Sequence, residues 1–494
     1  MDYANETLLL KRSAPQETLK ESGSCSTFDL PYELTSKIFR SCLPSRRRVR
    51  PHRNRAPLQL AQVCARWRAV ALATPQLWTS VFLKFCDRDA YDGMPMLFGA
   101  PDAQSTKDNT AAILDLWLTR AAGHPLSISL ICSRHTSLPP NLLTTMAKYS
   151  AWWGRLELAI PMADFLEFNE SAGPFPSLRS LSLQITDHHR PRWNVDPNLH
   201  VNTFHNSPSL RTLQLLDRYD IVLSPEKLLT LPRNLTALQI SRCQPGTYTS
   251  TVDLVQVFAH FPDLLHFGTS SSWPRTIVLP KQTPPLRSLI SHGLVVGLFE
   301  ISSLEHLQFS LGADISCTRL MTFVARSGCH LTSLALQLFH VSNEALGPCL
   351  AAVPSLTRLE LLLAVAGEGA SSAARCELLH QADLLPRLHT LIITDTARRP
   401  LYASFVTLLR ARPTLARAEM YMWSPHAEVR ARMPPPSPSI LEHFAALADG
   451  GLNVRVTTST FAWPLHAEDD EPFDDFDDDI FGSHLMRPQS FSPF

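Results

Sequence analysis

The sequence predicts an α/β protein in which a small helical unit precedes a long array of repeated strand and helix units. Apolar residues recur at helical spacing before residue 78, and a leucine pattern typical of strands recurs over the central part of the chain. In addition, 45% of the 494 residues are hydrophobic and only 18% are charged. A chain of this length and composition is expected to be folded, either as several units or as one extended array.

The helical unit follows a polar leader without a repeating pattern at residues 1–27. A first helix is predicted over residues 31–44, because a proline suits the first helical turn and apolar residues recur at steps of four and five. A second, continuous helix is predicted from residue 57 over LQLAQVCARWRAVAL. A threonine and a proline then predict the start of a third short element at residues 74–78.

The array rests on a unit of the form L-x-x-L-x-L. Its clear copies begin at Leu178, Leu210, Leu235, Leu304, Leu331, Leu356 and Leu388, and weaker copies are RLELAIP, PDLLHFG, PPLRSLIS and PTLARAEMY. The spacing brackets the leucine-rich-repeat period. Both leucines of L-x-L point to one face of a strand, and one unit cannot bury that face alone. The units are therefore predicted to stack into an irregular α/β solenoid, with a parallel sheet on one side and helices, such as 253–260 and 402–410, on the other.

These patterns predict five segments along the chain. They are a disordered leader at 1–27, the helical unit at 28–83, a polar linker at 84–110, the repeat array at 111–465 and an acidic disordered segment at 466–494.

An ordered set of short motifs spans the helical unit. The motifs are Leu30-Pro31-x-Glu33-Leu34, then Ile38-Phe39, then Pro57-Leu58-x-Leu60-x-x-Val63-Cys64-x-x-Trp67-Arg68, then Pro75-x-Leu77-Trp78. Their order and spacing resemble the F-box found at the start of many basidiomycete proteins, over about a tenth of the chain. A loop rich in arginine lengthens the link between the first two helices, but it removes none of the matched positions.

The resemblance implies a three-helix module that docks on the Skp adaptor and, through it, on cullin. The chain would then be the substrate receptor of an SCF-type ubiquitin ligase, with its repeats binding an unknown protein substrate. A binding scaffold that acts without ubiquitin transfer remains the alternative. The adaptor-binding residues that the resemblance implies are Leu30, Pro31, Glu33, Leu34, Ile38, Phe39, Leu60, Val63, Cys64 and Trp67.

The overall charge gives no reason to expect binding to nucleic acid or to an acidic membrane surface, because 45 Lys and Arg balance 45 Asp and Glu. The start of the chain lacks the apolar core of a signal peptide, and no apolar stretch has the length of a membrane helix. The ten cysteines form no C-x-x-C pair. We therefore expect a protein of the cytoplasm or nucleus with free thiols.

Motifs that carry catalysis or hold cofactors are not found in the sequence, so we expect neither an enzyme nor a cofactor. His188-His189 and Cys329-His330 are isolated pairs without further residues at metal-ligand spacing, and solvated or packed side chains are the expectation for both. A catalytic site assembled from residues distant in sequence remains an alternative.

Two charged segments each have two interpretations. The arginines of residues 46–55 suit a nuclear-import or nucleic-acid patch, but a solvated loop is favoured because no aromatic residue interleaves with them. Residues 466–494 carry nine acids that disfavour collapse. They would serve as a solubilising end or, through their interspersed phenylalanines, as a segment that binds a basic partner.

Overall fold

The computed structural model of the protein has a mixed α/β structure with one large sheet. The structure describes residues 30–44, 49–85, 103–132, 138–139, 141–171, 173–186, 204, 207–216, 228–241, 254–269, 284–292, 300–363, 372–395, 401–422, 434–458 and 461–464. The predicted leader and the acidic segment lie outside these residues, as does most of the predicted linker.

Fifteen strands are found within the described residues. They are β1 (Ser80–Phe85), β2 (Leu126–Cys132), β3 (Trp153–Ile160), β4 (Ser180–Ile185), β5 (Thr212–Leu216), β6 (Ala237–Ser241), β7 (His266–Thr269), β8 (Ser288–His292), β9 (His306–Ala313), β10 (Ser333–His340), β11 (Arg358–Leu363), β12 (Thr390–Asp395), β13 (Arg417–Met422), β14 (Asn453–Thr458) and β15 (Ala462–Trp463). Each strand pairs with the next in chain order, so the sheet follows the sequence from one edge to the other. All pairs are parallel except β14 with β15, which is antiparallel.

The described helices are concentrated at the N-terminus and in the connections between strands. The first three are α1 (Tyr32–Ser41), α2 (Leu60–Val63) and α3 (Ala65–Leu72), and the others are Ala103–Arg120, Leu142–Ala147, Met162–Ser171, Leu254–His260, Asp314–Ser327, Asn343–Ala351, Ser372–Leu379, Tyr402–Ala411 and Pro438–Asp449. Short 3-10 helices lie at Pro75–Leu77, Ser150–Trp152 and Ala382–Leu384. No helix of the described chain is both long enough and apolar enough to cross a bilayer.

The leucines of the repeat form continuous rows across the sheet. Leu334 of β10 lies beside Leu307 of β9 and Leu359 of β11, and the residues two positions further along each strand are aligned in the same way. The leading leucines of the clear copies are at most 1% exposed. Each buried leucine side chain contributes about 1.5 to 3 kcal/mol by leaving water, and a single unit could not shield its own row.

The predicted second helix is two helices, so the prediction of a continuous helix was wrong. Cys64 separates α2 from α3 in an extended conformation with φ −157° and ψ 170°. Its Sγ accepts a hydrogen bond from the Trp67 N–H at 3.4 Å, which caps the start of α3. The apolar period runs on across the break, which is why the sequence pattern does not reveal it.

The sheet begins earlier than the sequence pattern indicates, because β1 lies within residues assigned to the helical unit and the linker. The Phe82 N–H donates to the Val49 carbonyl at 2.8 Å, and the Arg50 guanidinium lies 5.0 Å from the centre of the Phe82 ring. Part of the arginine-rich loop thus covers the edge strand, where exposed backbone groups would otherwise invite pairing with another chain. Residues 45–48 of that loop lie outside the described residues.

Arg412 directly follows helix Tyr402–Ala411 and links its end to the connection that precedes β12. It is 2% exposed, its Nε–H donates to the Leu379 carbonyl at 2.7 Å, and its Nη1–H donates to the Leu385 carbonyl at 2.9 Å. Its Nη2 donates to the Gln381 carbonyl. One buried guanidinium therefore donates hydrogen bonds to three backbone carbonyls of the connection at residues 379–385.

Replacing Arg412 with leucine is expected to lower the free energy of unfolding by roughly 2 to 4 kcal/mol, because buried carbonyls lose a charged donor. Urea unfolding followed by tryptophan fluorescence measures the loss. Arg410→Leu, in the last turn of helix Tyr402–Ala411, is the control, since the Arg410 guanidinium meets His443 Nδ1 at an exposed position. We expect the control to change stability by less than about 0.5 kcal/mol. Equal losses for the two variants would contradict this account of Arg412.

Candidate functional site

The N-terminal helices are held together by hydrogen bonds that reach across the unit. The Arg66 Nη2 donates to the Leu30 carbonyl at 2.8 Å, which fixes the chain two residues before α1 against α3. The Tyr32 hydroxyl donates to the Ala73 carbonyl at 2.6 Å. These two contacts set the position of α1 along the length of α3.

Aromatic packing closes the interior of the unit. The rings of Phe39 and Trp67 lie 5.0 Å apart at an angle of 59°. Phe39 is 1% exposed and Leu60 is 8% exposed, whereas Trp67 is half-buried. The inner side of α1 therefore packs on α3 through Phe39.

The outer side of the unit presents several exposed apolar side chains. Leu30 is 37% exposed, Leu34 49%, Ile38 48% and Val63 53%. Leu34 and Ile38 are four residues apart, so they lie one above the other on the same face of α1. Of the nine exposed large apolar side chains among the described residues, six lie between residues 30 and 72. Such a concentration is typical of a surface that binds another protein.

The structure divides the ten predicted binding residues into groups. Leu30, Pro31, Glu33, Leu34, Ile38 and Val63 are exposed, Cys64 and Trp67 are half-buried, and Phe39 and Leu60 are buried. The buried pair cannot contact a partner in this arrangement and instead supports the surface from within. For Phe39 and Leu60, we therefore replace the prediction of direct contact with a prediction of support.

The sequence pattern missed two exposed side chains, Tyr32 at 43% and Leu72 at 41%. Tyr32 lies directly after Pro31, so its place at the start of α1 was a usable signal. Leu72 ends α3, and its apolar character fits the helical period equally well whether it is buried or exposed.

A pair of tryptophans fixes the unit to the end of the sheet. The Trp78 Nε1–H donates to the Ala71 carbonyl at 3.0 Å, and the Trp78 ring meets Trp117 edge-on with centres 4.9 Å apart. The Arg120 guanidinium lies 4.6 Å from the centre of the Trp78 ring. Both tryptophans are at most 2% exposed, so the helical unit and the first strands share one core.

The described residues contain no group of three or more His, Cys, Asp or Glu side chains that could hold a metal ion. His188-His189 lies outside the described residues. Cys329 is 9% exposed, and burial raises the pKa of its thiol, which disfavours the reactive thiolate at neutral pH. The Cys329-His330 pair therefore gives no support to a nucleophilic site.

Comparison with known proteins gives one informative result. No curated protein matches the chain. A family model does match the N-terminal helices, and its range includes every one of the ten predicted binding residues. The match covers residues 27–84 and is to the F-box-like family, so the chain carries an F-box-like domain at its exposed apolar surface.

Proposed function

We propose that this protein is the substrate-receptor subunit of an SCF-type cullin-RING ubiquitin ligase. The observation that carries the proposal is the exposed apolar face of α1 and α2 within an F-box-like domain. F-box domains generally bind Skp adaptors, which connect them to cullin. The exposed face is the surface through which this chain would bind the adaptor.

The physical case for a partner at this face rests on the cost of leaving it in water. Each large apolar side chain gains about 1.5 to 3 kcal/mol when it is fully covered, so Leu34, Ile38 and Val63 favour association together. The polar or charged side chains of Glu33, Ser36 and Lys37 lie beside them on α1. An apolar centre with a polar rim is the usual anatomy of a protein interface.

The remainder of the chain would act as a leucine-rich-repeat-like solenoid that binds a protein substrate. Support comes from the sheet, in which the clear copies of the repeat form strands in matching register. Such an array offers an extended surface on which a partner can lie. The receptor would catalyse nothing itself and would act by proximity, raising the effective concentration of substrate lysines near the conjugating enzyme. Its place of action would be the cytoplasm or nucleus.

Reconstitution tests the proposal and separates it from a scaffold that acts without ubiquitin transfer. Tagged full-length protein is mixed with Skp adaptor, cullin and the RING subunit. The complexes are isolated, and their molecular masses are measured. We expect a complex that contains all components. Recovery of the adaptor without cullin would favour the scaffold, and recovery of neither would refute a role in the ligase.

A further inference from the structure

Two cysteines of consecutive helices lie against each other in the core of the repeat array. Cys317 belongs to helix Asp314–Ser327, and Cys349 belongs to helix Asn343–Ala351. Both side chains are 1% exposed, and both thiols are free. The Cys349 S–H donates a hydrogen bond to the Cys317 sulfur. Two sulfurs in such contact can form a disulfide after a small approach.

The two helices are held side by side by hydrogen bonds near the thiols. The Ser342 N–H donates to Asp314 Oδ1 at 2.7 Å, and the Ser342 hydroxyl donates to Asp314 Oδ2 at 3.0 Å. Ser342 also caps the second helix, because its Oγ accepts a hydrogen bond from the Ala345 N–H at 3.2 Å. The contact between Cys317 and Cys349 therefore lies between elements that are joined at their starts.

A buried guanidinium supplies positive charge beside the pair. Arg375 is 4% exposed, and its Nη2 donates to the Val341 carbonyl. Its Nη1 has no hydrogen-bond partner among the described residues. Asp314 contributes negative charge nearby, but both of its carboxylate oxygens accept hydrogen bonds from Ser342. The guanidinium therefore favours a further negative charge, which a thiolate at Cys317 would provide.

The surroundings make Cys317 the more acidic thiol of the pair. The hydrogen bond from Cys349 lowers the pKa of Cys317 and outweighs burial and Asp314, which raise it, while Arg375 adds to the lowering. The same hydrogen bond, together with burial, raises the pKa of Cys349. By contrast, burial raises the pKa of Cys376 to about 12. Since the thiolate is the reactive form of cysteine, Cys317 is the nucleophile of the pair.

One turn of uncapped helix separates the Cys317 sulfur from water. Cys317 is the fourth residue of helix Asp314–Ser327, and Ala313 at the N-cap offers no side-chain hydrogen bond to the first turn. Gly312, directly before it, is exposed and has open space around its Cα. The first N–H groups of a helix have no partner within the helix, so an uncapped turn opens more easily than the interior. Local opening there would admit a small oxidant without unfolding the array.

We propose that Cys317 and Cys349 form a site of reversible oxidation, which a hydroperoxide converts into a disulfide between the two helices. The Cys317 thiolate attacks one oxygen of hydrogen peroxide, the O–O bond breaks, and hydroxide leaves and takes up the proton that Cys317 released. Cys317 is then a sulfenic acid. The Cys349 sulfur attacks the sulfur of Cys317, the S–O bond breaks, and the leaving hydroxide takes the Cys349 proton. Two thiols and one peroxide thus give one disulfide and two waters.

The disulfide would lock two consecutive helices of the array to each other, and a thiol reductant would release them. Because the cross-link restricts the unfolded chain, we expect oxidised protein to unfold at least about 3 °C above reduced protein. A lower unfolding temperature after oxidation would contradict a disulfide that forms in place. This inference does not depend on the proposed role of the F-box-like domain.

Mass spectrometry of full-length protein after brief exposure to hydrogen peroxide at neutral pH tests the pairing. Catalase stops the reaction, free thiols are alkylated in denaturant, and the protein is digested without reductant. We expect a linked peptide pair that joins Cys317 to Cys349. It should form at least about tenfold faster than the buried thiols of Cys132, Cys329 and Cys376 are oxidised. Equal rates for all buried thiols would show that oxidation requires unfolding, and would overturn the proposal, as would pairing of Cys317 with another cysteine.

Two serine variants test the separate roles of the thiols. Cys349→Ser keeps a hydroxyl that can donate to Cys317 but removes the second thiol. We expect its Cys317 sulfenic acid to persist and to be labelled by dimedone, which reacts with sulfenic acids. Cys317→Ser should leave Cys349 unlabelled. Label on Cys349 in that variant, or no label on Cys317 in Cys349→Ser, would contradict the assigned roles. Thermal unfolding checks that both variants are folded, and the disulfide mapping in the unaltered protein needs neither.

Discussion

Replacing Leu34 and Ile38 together with aspartate is expected to weaken binding of the Skp adaptor by at least about 100-fold while leaving the protein folded. Buried apolar anchors at the centre of an interface commonly contribute about 2 kcal/mol or more each, and 1.4 kcal/mol corresponds to a factor of ten. Both side chains are about half exposed in this chain, so the fold loses little when they become polar. Binding is measured by titration calorimetry and folding by thermal unfolding.

Two exposed apolar residues outside the F-box-like domain provide matched controls for this variant. Leu116 is 54% exposed on helix Ala103–Arg120, and Ile315 is 61% exposed on helix Asp314–Ser327. Changing both to aspartate adds the same charge and removes as much exposed apolar surface. We expect no change in adaptor affinity for this control. If the control weakens binding as much as the test variant does, the effect is one of net charge and the assigned surface is wrong.

The strand positions could be predicted from the sequence because their signal is local. A leucine at every second residue places both side chains on one face of a strand, and a third leucine before them enters the same core. Strands β4, β5, β6 and β9 to β12 lie where the clear copies of the repeat predicted them, and β3, β7, β8 and β13 lie at the weaker copies.

Neither the break at Cys64 nor the first strand was predicted. The break depends on an unusual helix cap, and the strand depends on contacts between segments distant in sequence. A cysteine thiol is a weak hydrogen-bond acceptor and is not among the usual helix caps. The strand at Ser80–Phe85 carries no copy of the leucine unit, and its pairing with β2 and its cover by the Val49 loop are long-range.

The candidate site was predicted as a set of residues but not as a surface. Ile38 and Phe39 are neighbours and equally apolar, yet one is 48% exposed and the other 1% exposed. Helical periodicity places them 100° apart but does not say which direction faces α3. The Trp67 ring settles this by packing on Phe39, a contact across 28 positions that local sequence does not encode.

Phe39 is buried whereas Ile38 is exposed. We therefore expect Phe39→Ala to destabilise the fold, unlike the change of Leu34 and Ile38 to aspartate. Removing a buried phenylalanine leaves a cavity and typically costs about 3 to 5 kcal/mol, so we expect the N-terminal helices to loosen. Hydrogen exchange of α1 to α3 should accelerate strongly, and adaptor binding should weaken as a consequence of lost structure.

Phe39→Leu refills most of the volume and is the matched control, expected to retain both slow exchange and adaptor binding. Saturating adaptor should in turn restore slow exchange in Phe39→Ala, because a ligand that binds the folded state stabilises it by mass action. Loss of adaptor binding in Phe39→Ala with unchanged hydrogen exchange would mean that this side chain contacts the partner itself. In that case α1 would have to rotate on binding, and the division into an inner Phe39 and an outer Ile38 would describe the free protein alone.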